Sequence, residues 1–74
     1  MPLNMAKAMA DCLRQAAAWL HDEARLHETG EVVRVRDGRD VSKDHAQELI
    51  HRARNMEASA QAFERVVQNR KAGG

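Results

Sequence analysis

SKDHAQELIHRARNMEASAQAFERVVQN, residues 42–69, is the stretch whose pattern decides the fold. Within it Ala46, Leu49, Ala53, Met56, Ala60, Phe63 and Val67 recur at alternating spacings of three and four. That spacing is a heptad seam on one face of a helix. One row of the seam is small (Ala46, Ala53, Ala60) and the other large (Leu49, Met56, Phe63). Small residues let a facing helix approach closely and large ones then interdigitate, which suits antiparallel packing in a four-helix bundle. The plainer alternative is an ordinary amphipathic helix on a small core. Ser42 reads as the N-cap, Asp44 sits in the first turn where the helix dipole favours an anion, and Val41 can pack on Ala46 as a staple. Glu48 and Arg52 are spaced as a favourable i, i+4 pair.

Working outward, a second helical block precedes this one, from about residue 4 to residue 29. It is rich in Ala, Leu, Met, Glu and Arg, all good helix formers. Met5, Cys12, Trp19 and Leu26 form one heptad row; Met9 and Ala16 lie in the next, interrupted by Glu23. Ala6, Leu13 and Leu20 form a third row closed by His27, and Ala10, Ala17 and Ala24 a fourth. These rows adjoin, so the apolar face is wide. A helix with one neighbour needs only a narrow seam, so this helix is expected to touch two. Gly30 is a natural C′ residue.

Between the blocks lies EVVRVRDGRDV, residues 31–41. Val32, Val33 and Val35 favour extended backbone, and Asp37-Gly38 is a turn signal. Only Arg39, Asp40 and Val41 remain for a return strand. A short strand or tight hairpin fits the tip; the preferred expectation is a short extended segment that pairs across a dimer or caps the bundle end, the alternative being an irregular loop with its valines folded onto the core.

The expected fold class is all-α. A single helical-hairpin domain spans residues 1–74, with helices at about 4–29 and 42–69, a short extended or β-like connector at 30–41 and a flexible tail at 70–74. Each helix has about 26 residues, hence about 39 Å at 1.5 Å per residue, and the matched lengths favour an antiparallel hairpin. Two helices alone make one layer, whereas domains normally pack two. A homodimer forming a four-helix bundle supplies the second layer with no new sequence. The core or dimer interface is expected to hold Met9, Cys12, Leu13, Ala16, Trp19, Leu20, Leu26, Leu49, Ala53, Met56, Ala60, Phe63 and Val67.

Composition points the same way. Aromatics are limited to Trp19 and Phe63, and much of the 43% apolar content is alanine, which buries little area. At about 25 cal/mol per Å² such a core stabilises modestly. Ordering costs roughly 1.5 kcal/mol per residue, so a lone chain of this size sits near break-even. Cys12 is the single cysteine, which excludes an intramolecular disulfide and fits a reducing, cytoplasmic setting. The first residues lack a basic region followed by an apolar run, so no signal peptide is expected, and no apolar run is long enough to span a membrane.

Chemistry-bearing patterns are few. An antiparallel hairpin centred near Arg36 brings His27 towards His45 and His21 towards His51, but the metalloprotease spacing H-E-x-x-H is absent and no metal or other cofactor is expected. His27 and His45, with Glu23 and Asp44 nearby, could make a pH-sensitive tip. Cys12 falls on a row read as buried and is expected to be inert. No nucleophile, acid/base pair or phosphate loop stands out, so no enzyme is expected. The net charge of +1, from 12 basic and 11 acidic residues, argues against a dedicated nucleic-acid binder. Arg34, Arg36 and Arg39 in the connector, with Arg52 and Arg54, nevertheless offer basic contact candidates beside the apolar Met5.

The layout resembles small two-helix dimers such as Rop-like bundles and helical secretion chaperones, a likeness of fold that does not fix function. The functional expectation is a small homodimeric regulator, adaptor or inhibitor, of the kind phages and mobile elements encode, that occludes a surface of another protein. Trp19, Leu20, Met9, Arg34 and Arg36 are the contact candidates, since Trp and Arg are frequent hot spots; for Trp19 the dimer core is the favoured place. The alternatives are a nucleic-acid-binding helical bundle, or a chaperone or structural subunit of a larger complex.

Overall fold

In a computed structural model, which describes residues 2–73, the chain is two long helices packed antiparallel and joined by a two-stranded tip. The order is α1 (Leu3–Thr29), β1 (Val35–Arg36), β2 (Arg39–Asp40) and α2 (Ser42–Gly73). The hairpin is a rod, 57 × 16 × 15 Å in extent.

Helix α1 starts behind Pro2, whose extended backbone (φ −60°, ψ 145°) sets the entry and whose carbonyl accepts the Ala6 N–H at 3.1 Å. It ends at Gly30, which takes φ 84°, the left-handed conformation that costs glycine nothing. The Val32 N–H then folds back to the Leu26 carbonyl at 3.1 Å, and the Thr29 hydroxyl donates to the same oxygen at 3.2 Å, so this helix-end carbonyl is satisfied.

The connector closes on itself. Asp37 and Gly38 both have positive φ, 53° and 77°, as the central residues of a type I′ hairpin turn must. Arg36 then faces Arg39 and Val35 faces Asp40 in antiparallel register. The short β-like connector expected here is present as a tight hairpin, with two residues sufficing for the return strand. The alternative of an irregular loop with its valines folded onto the core is corrected, since Val32, Val33 and Val35 are exposed. A further bond, Val41 N–H to the Arg34 carbonyl at 2.9 Å, extends the ribbon by one rung.

Ser42 does not cap α2 as expected. The first intrahelical bond runs from His45 N–H to the Val41 carbonyl at 2.9 Å, which places the cap position at Val41. The Ser42 hydroxyl is used elsewhere: it donates to Asp40 Oδ1 at 2.6 Å and accepts the Arg34 N–H at 2.9 Å. Asp40 Oδ1 also accepts the Ser42 N–H at 2.9 Å, an Asx-type turn that aims the ribbon into the helix. At its far end α2 runs to Gly73, past the boundary expected near residue 69. Asn69, Arg70, Lys71 and Ala72 contain no breaker, and Arg70 and Lys71 complement the dipole of the last turn. The expected flexible tail is thus helical through Gly73, and Gly74 lies outside the described residues.

The two helices meet on alanine. Ala6, Ala10, Ala17 and Ala24 of α1 and Ala46, Ala53 and Ala60 of α2 are buried, and Leu49 is the single larger buried apolar residue among those described. Ala10, Ala17 and Ala24 step by seven, as do Ala46, Ala53 and Ala60, so two small rows face each other along the rod. Interaxial distance depends on the side chains at the contact, and rows this small permit the close end of the range. Larger side chains, including Leu13, Leu20, Met56, Phe63 and Val67, flank the seam half-buried. Near the tip Ala24, Ala46 and Leu49 form a cluster with Leu20 and Ile50 packed against it.

Register is fixed on one flank. Arg14 grips Glu64 through two bonds, Nε to Oε2 at 3.0 Å and Nη2 to Oε1 at 2.7 Å. One heptad along α1 and one back along α2, His21 Nε2 lies 3.3 Å from Glu57 Oε1. The bidentate bond holds the Glu64 carboxyl below its ordinary range and pushes the Arg14 guanidinium up.

Candidate functional site

With the alanine rows turned inward, the bulky row of α1 is left without a partner in the hairpin. Trp19 is 77% exposed, Met5 54% and Met9 42%. Cys12 is exposed as well, against the expectation of a buried row, because the seam is centred on Ala10, Ala17 and Ala24 rather than on the row of Cys12. Ala16 and Leu26 are half-buried and Glu23 is exposed. In order, Met5, Met9, Cys12, Ala16, Trp19, Glu23 and Leu26 alternate at spacings of four and three, so α1 carries a second heptad stripe beside the first. Six of these seven positions are apolar. The signal lay in the sequence as an all-alanine row on α1 beside bulkier ones; the alanine row of α2 identifies the side of α1 that α2 takes.

The residues expected at the interface therefore divide into two sets. Leu49, Ala53 and Ala60 are buried between α1 and α2, with Leu13, Leu20, Met56, Phe63 and Val67 half-buried at its margins. Met9, Cys12 and Trp19, with the half-buried Ala16 and Leu26, belong to the outer stripe.

The tip is a second feature. Residues 30–40 are all exposed, with Val33 at 56% and Val35 at 61%. Arg34, Arg36 and Arg39 crowd onto this short ribbon, and Arg36 stands directly across from Arg39. Like charges directly opposite are unfavourable in a ribbon. Arg52 is near enough to act on the charge of His45 beneath the ribbon. Arg54 follows it by two residues, about 200° round the helix, and does not join the tip set.

Under the ribbon the expected histidine pair is present: the rings of His27 and His45 meet edge to face with centroids 4.8 Å apart. His27 is buried, and its Nδ1 lies 2.8 Å from the Glu23 carbonyl, which can only accept, so Nδ1 carries the proton. Burial lowers the His45 pKa from its ordinary value; Arg34, His27 and Arg52 push it the same way, against Glu48. His21 meets Glu57 and not His51, which is exposed. Among the described residues no three His, Cys, Asp or Glu side chains gather as a metal site. Beside the pair an open cleft of about 410 Å³ is lined by His27, Val33, Asp40, Lys43 and Asp44 among others.

No family model, curated protein or solved structure matches this chain. The functional reading therefore stands on the geometry. Among the described residues no helix is long and apolar enough to cross a membrane.

Proposed function

We propose that this chain is a small, homodimeric, protein-binding regulator or adaptor that acts by occluding a surface of another protein. One observation carries the reading: an apolar stripe on α1, interrupted only at Glu23 and with Trp19 77% exposed, has no partner within the hairpin. Exposed apolar stripes rimmed by polar residues mark interaction surfaces. A single helical layer also needs a second layer, and a second copy provides it. The tip arginines then lie outside the dimer contact, free to meet an acidic or hydrogen-bonding surface of the target. Arg is enriched among residues that dominate interface energies.

Light scattering on the full chain tests the first half; a molar mass twice 8.3 kDa supports it and a mass of 8.3 kDa refutes it. The second half is tested by affinity capture compared with a triple R34A/R36A/R39A variant. The proposal expects a protein retained by the wild type and lost with the variant. A second reading, nucleic-acid binding, draws on the Arg36 and Arg39 pair across the ribbon. Retention of RNA or DNA that collapses steeply with salt, with no protein retained, would favour that reading instead.

A further inference from the structure

The stripe on α1 is specific enough to say how a second copy sits on it. We infer that two hairpins pair through α1 against α1, antiparallel, about a two-fold axis level with the Ala17–Ala18 peptide; this rests on the homodimer reading above and adds the register to it.

Three observations support the inference. The first is size along the stripe. In an antiparallel pairing about that axis, Trp19 lies over Ala16 of the second copy, Met9 over Leu26, and Cys12 over Glu23, each contact occurring twice by symmetry. The largest side chain of the stripe thus meets one of the smallest, as interdigitating layers require. Sliding one helix by a heptad one way puts Trp19 against Met9 and leaves two small residues, Cys12 and Ala16, facing each other over a gap; sliding it the other way puts Trp19 against the charged Glu23. The second is the flanks. In the same register Leu13 lies beside Leu20 of the second copy, and both are half-buried in the single hairpin with apolar surface left to cover. On the other flank Gln15 lies beside Asp22 of the second copy, so the exposed Asp22 meets an amide that can donate to it rather than a like charge. The third is area. The outline of the rod, 57 × 16 Å or about 900 Å², is large enough to contain an interface of standard size, about 800 Å² per partner. The axis falls within two residues of the middle of α1, so the two rods overlap along nearly their full length.

The arrangement has a consequence for the target-binding surface. Antiparallel pairing sends the two tips to opposite ends of the assembly, so Arg34, Arg36 and Arg39 are displayed twice, facing away from each other. One dimer can then bridge two copies of a target but cannot use both tips on one small site.

Cysteine cross-linking reads the register directly. In this geometry Cys12 and Cys12 of the second copy are eleven residues apart along the rod, about 16.5 Å. A disulfide needs Cα atoms within about 7 Å, so the wild-type thiol cannot link to itself in the dimer. Glu23 is exposed, so E23C leaves the hairpin intact, and within one chain positions 12 and 23 are also about 16.5 Å apart. Across the axis they face each other. Under mild oxidation E23C is expected to form covalent dimer on the order of a hundredfold faster than wild type or C12S/E23C, because only its thiols are held together at high effective concentration. Wild-type Cys12 linking readily to itself, or E23C failing to link while light scattering reports a dimer, overturns the register and leaves the homodimer reading standing. A monomeric wild type overturns both.

Discussion

Replacing Ala53 by leucine should destabilise the protein, although it adds apolar surface to a helix and barely changes helix propensity. Ala53 is in the middle of the seam and 0% exposed. If space existed, three further carbons buried at about 0.8 kcal/mol each would stabilise the fold by about 2.4 kcal/mol. No such space exists where two alanine rows face each other. The leucine must either adopt a strained rotamer or push α2 outward, and overpacking of this kind typically costs about 1–3 kcal/mol. A rigid rod cannot yield at one point alone, so outward movement also uncovers neighbouring alanines on the seam. Ala53→Gly brackets the effect from the other side, losing about 1 kcal/mol of helix propensity without a clash. Urea denaturation followed by far-ultraviolet circular dichroism, at one fixed protein concentration, measures both. A lowered midpoint for A53L and for A53G is expected. A53L at or above the wild-type midpoint would refute close alanine packing and imply a wider, leucine-filled interface.

Three other perturbations follow from the geometry. Trp19→Ala removes a side chain that the hairpin leaves 77% exposed, so helicity of dilute protein should hold while self-association weakens by about 2–4 kcal/mol, read from the dilution midpoint of molar mass. Ser42→Ala deletes the hydroxyl that joins Asp40 to the Arg34 N–H and should cost about 1 kcal/mol, with the loss of hydrogen-exchange protection confined to residues 34–42. His45 has its pKa lowered in the fold by burial, then by Arg34 and His27, so the unfolded chain binds the proton more tightly. Its contribution is therefore complete above the unfolded value near 6.5 and is lost as pH falls through the lower folded value. Stability measured by urea midpoint should drop on going from neutral to mildly acid pH, and His45→Gln should flatten that part of the profile.

Much of the fold could be read from residues 42–69 and from the matched lengths of the helices. The alternation of Ala46, Ala53 and Ala60 with Leu49, Met56 and Phe63 named both the facing side of α2 and the closeness of its neighbour. Direction followed from the connector, and the approach of His27 to His45 followed from direction. What the pattern left open was the rotation of α1. Its apolar rows span more than one neighbour's share, and hydrophobicity alone ranks the row of Trp19 above the row of Ala17. The deciding term is shape: α2 offers the small row Ala46, Ala53 and Ala60, and the alanine row of α1, Ala10, Ala17 and Ala24, can come closest to it. The Asp37-Gly38 turn and a short β-like connector were legible from the turn signal and the valines; the register within it was not, because a two-residue strand carries no periodicity and is set by its pairing across the turn. Ser42 looked like a cap because serine commonly caps; Asp40, two residues earlier, diverts its hydroxyl. The α2 terminus was read short because glycine-ended basic tails commonly fray, whereas here the last turn carries its own favourable charges.

The most direct test of the central claim, that a second copy covers the outer stripe of α1, uses the single tryptophan of the chain. Trp19 fluorescence and its quenching by acrylamide should be recorded across a dilution series spanning the change in molar mass. The account predicts blue-shifted, shielded emission in the dimer, turning red-shifted and quencher-accessible as the mass falls to that of one chain. Emission that stays red-shifted and fully accessible in a sample whose mass is that of a dimer would contradict it.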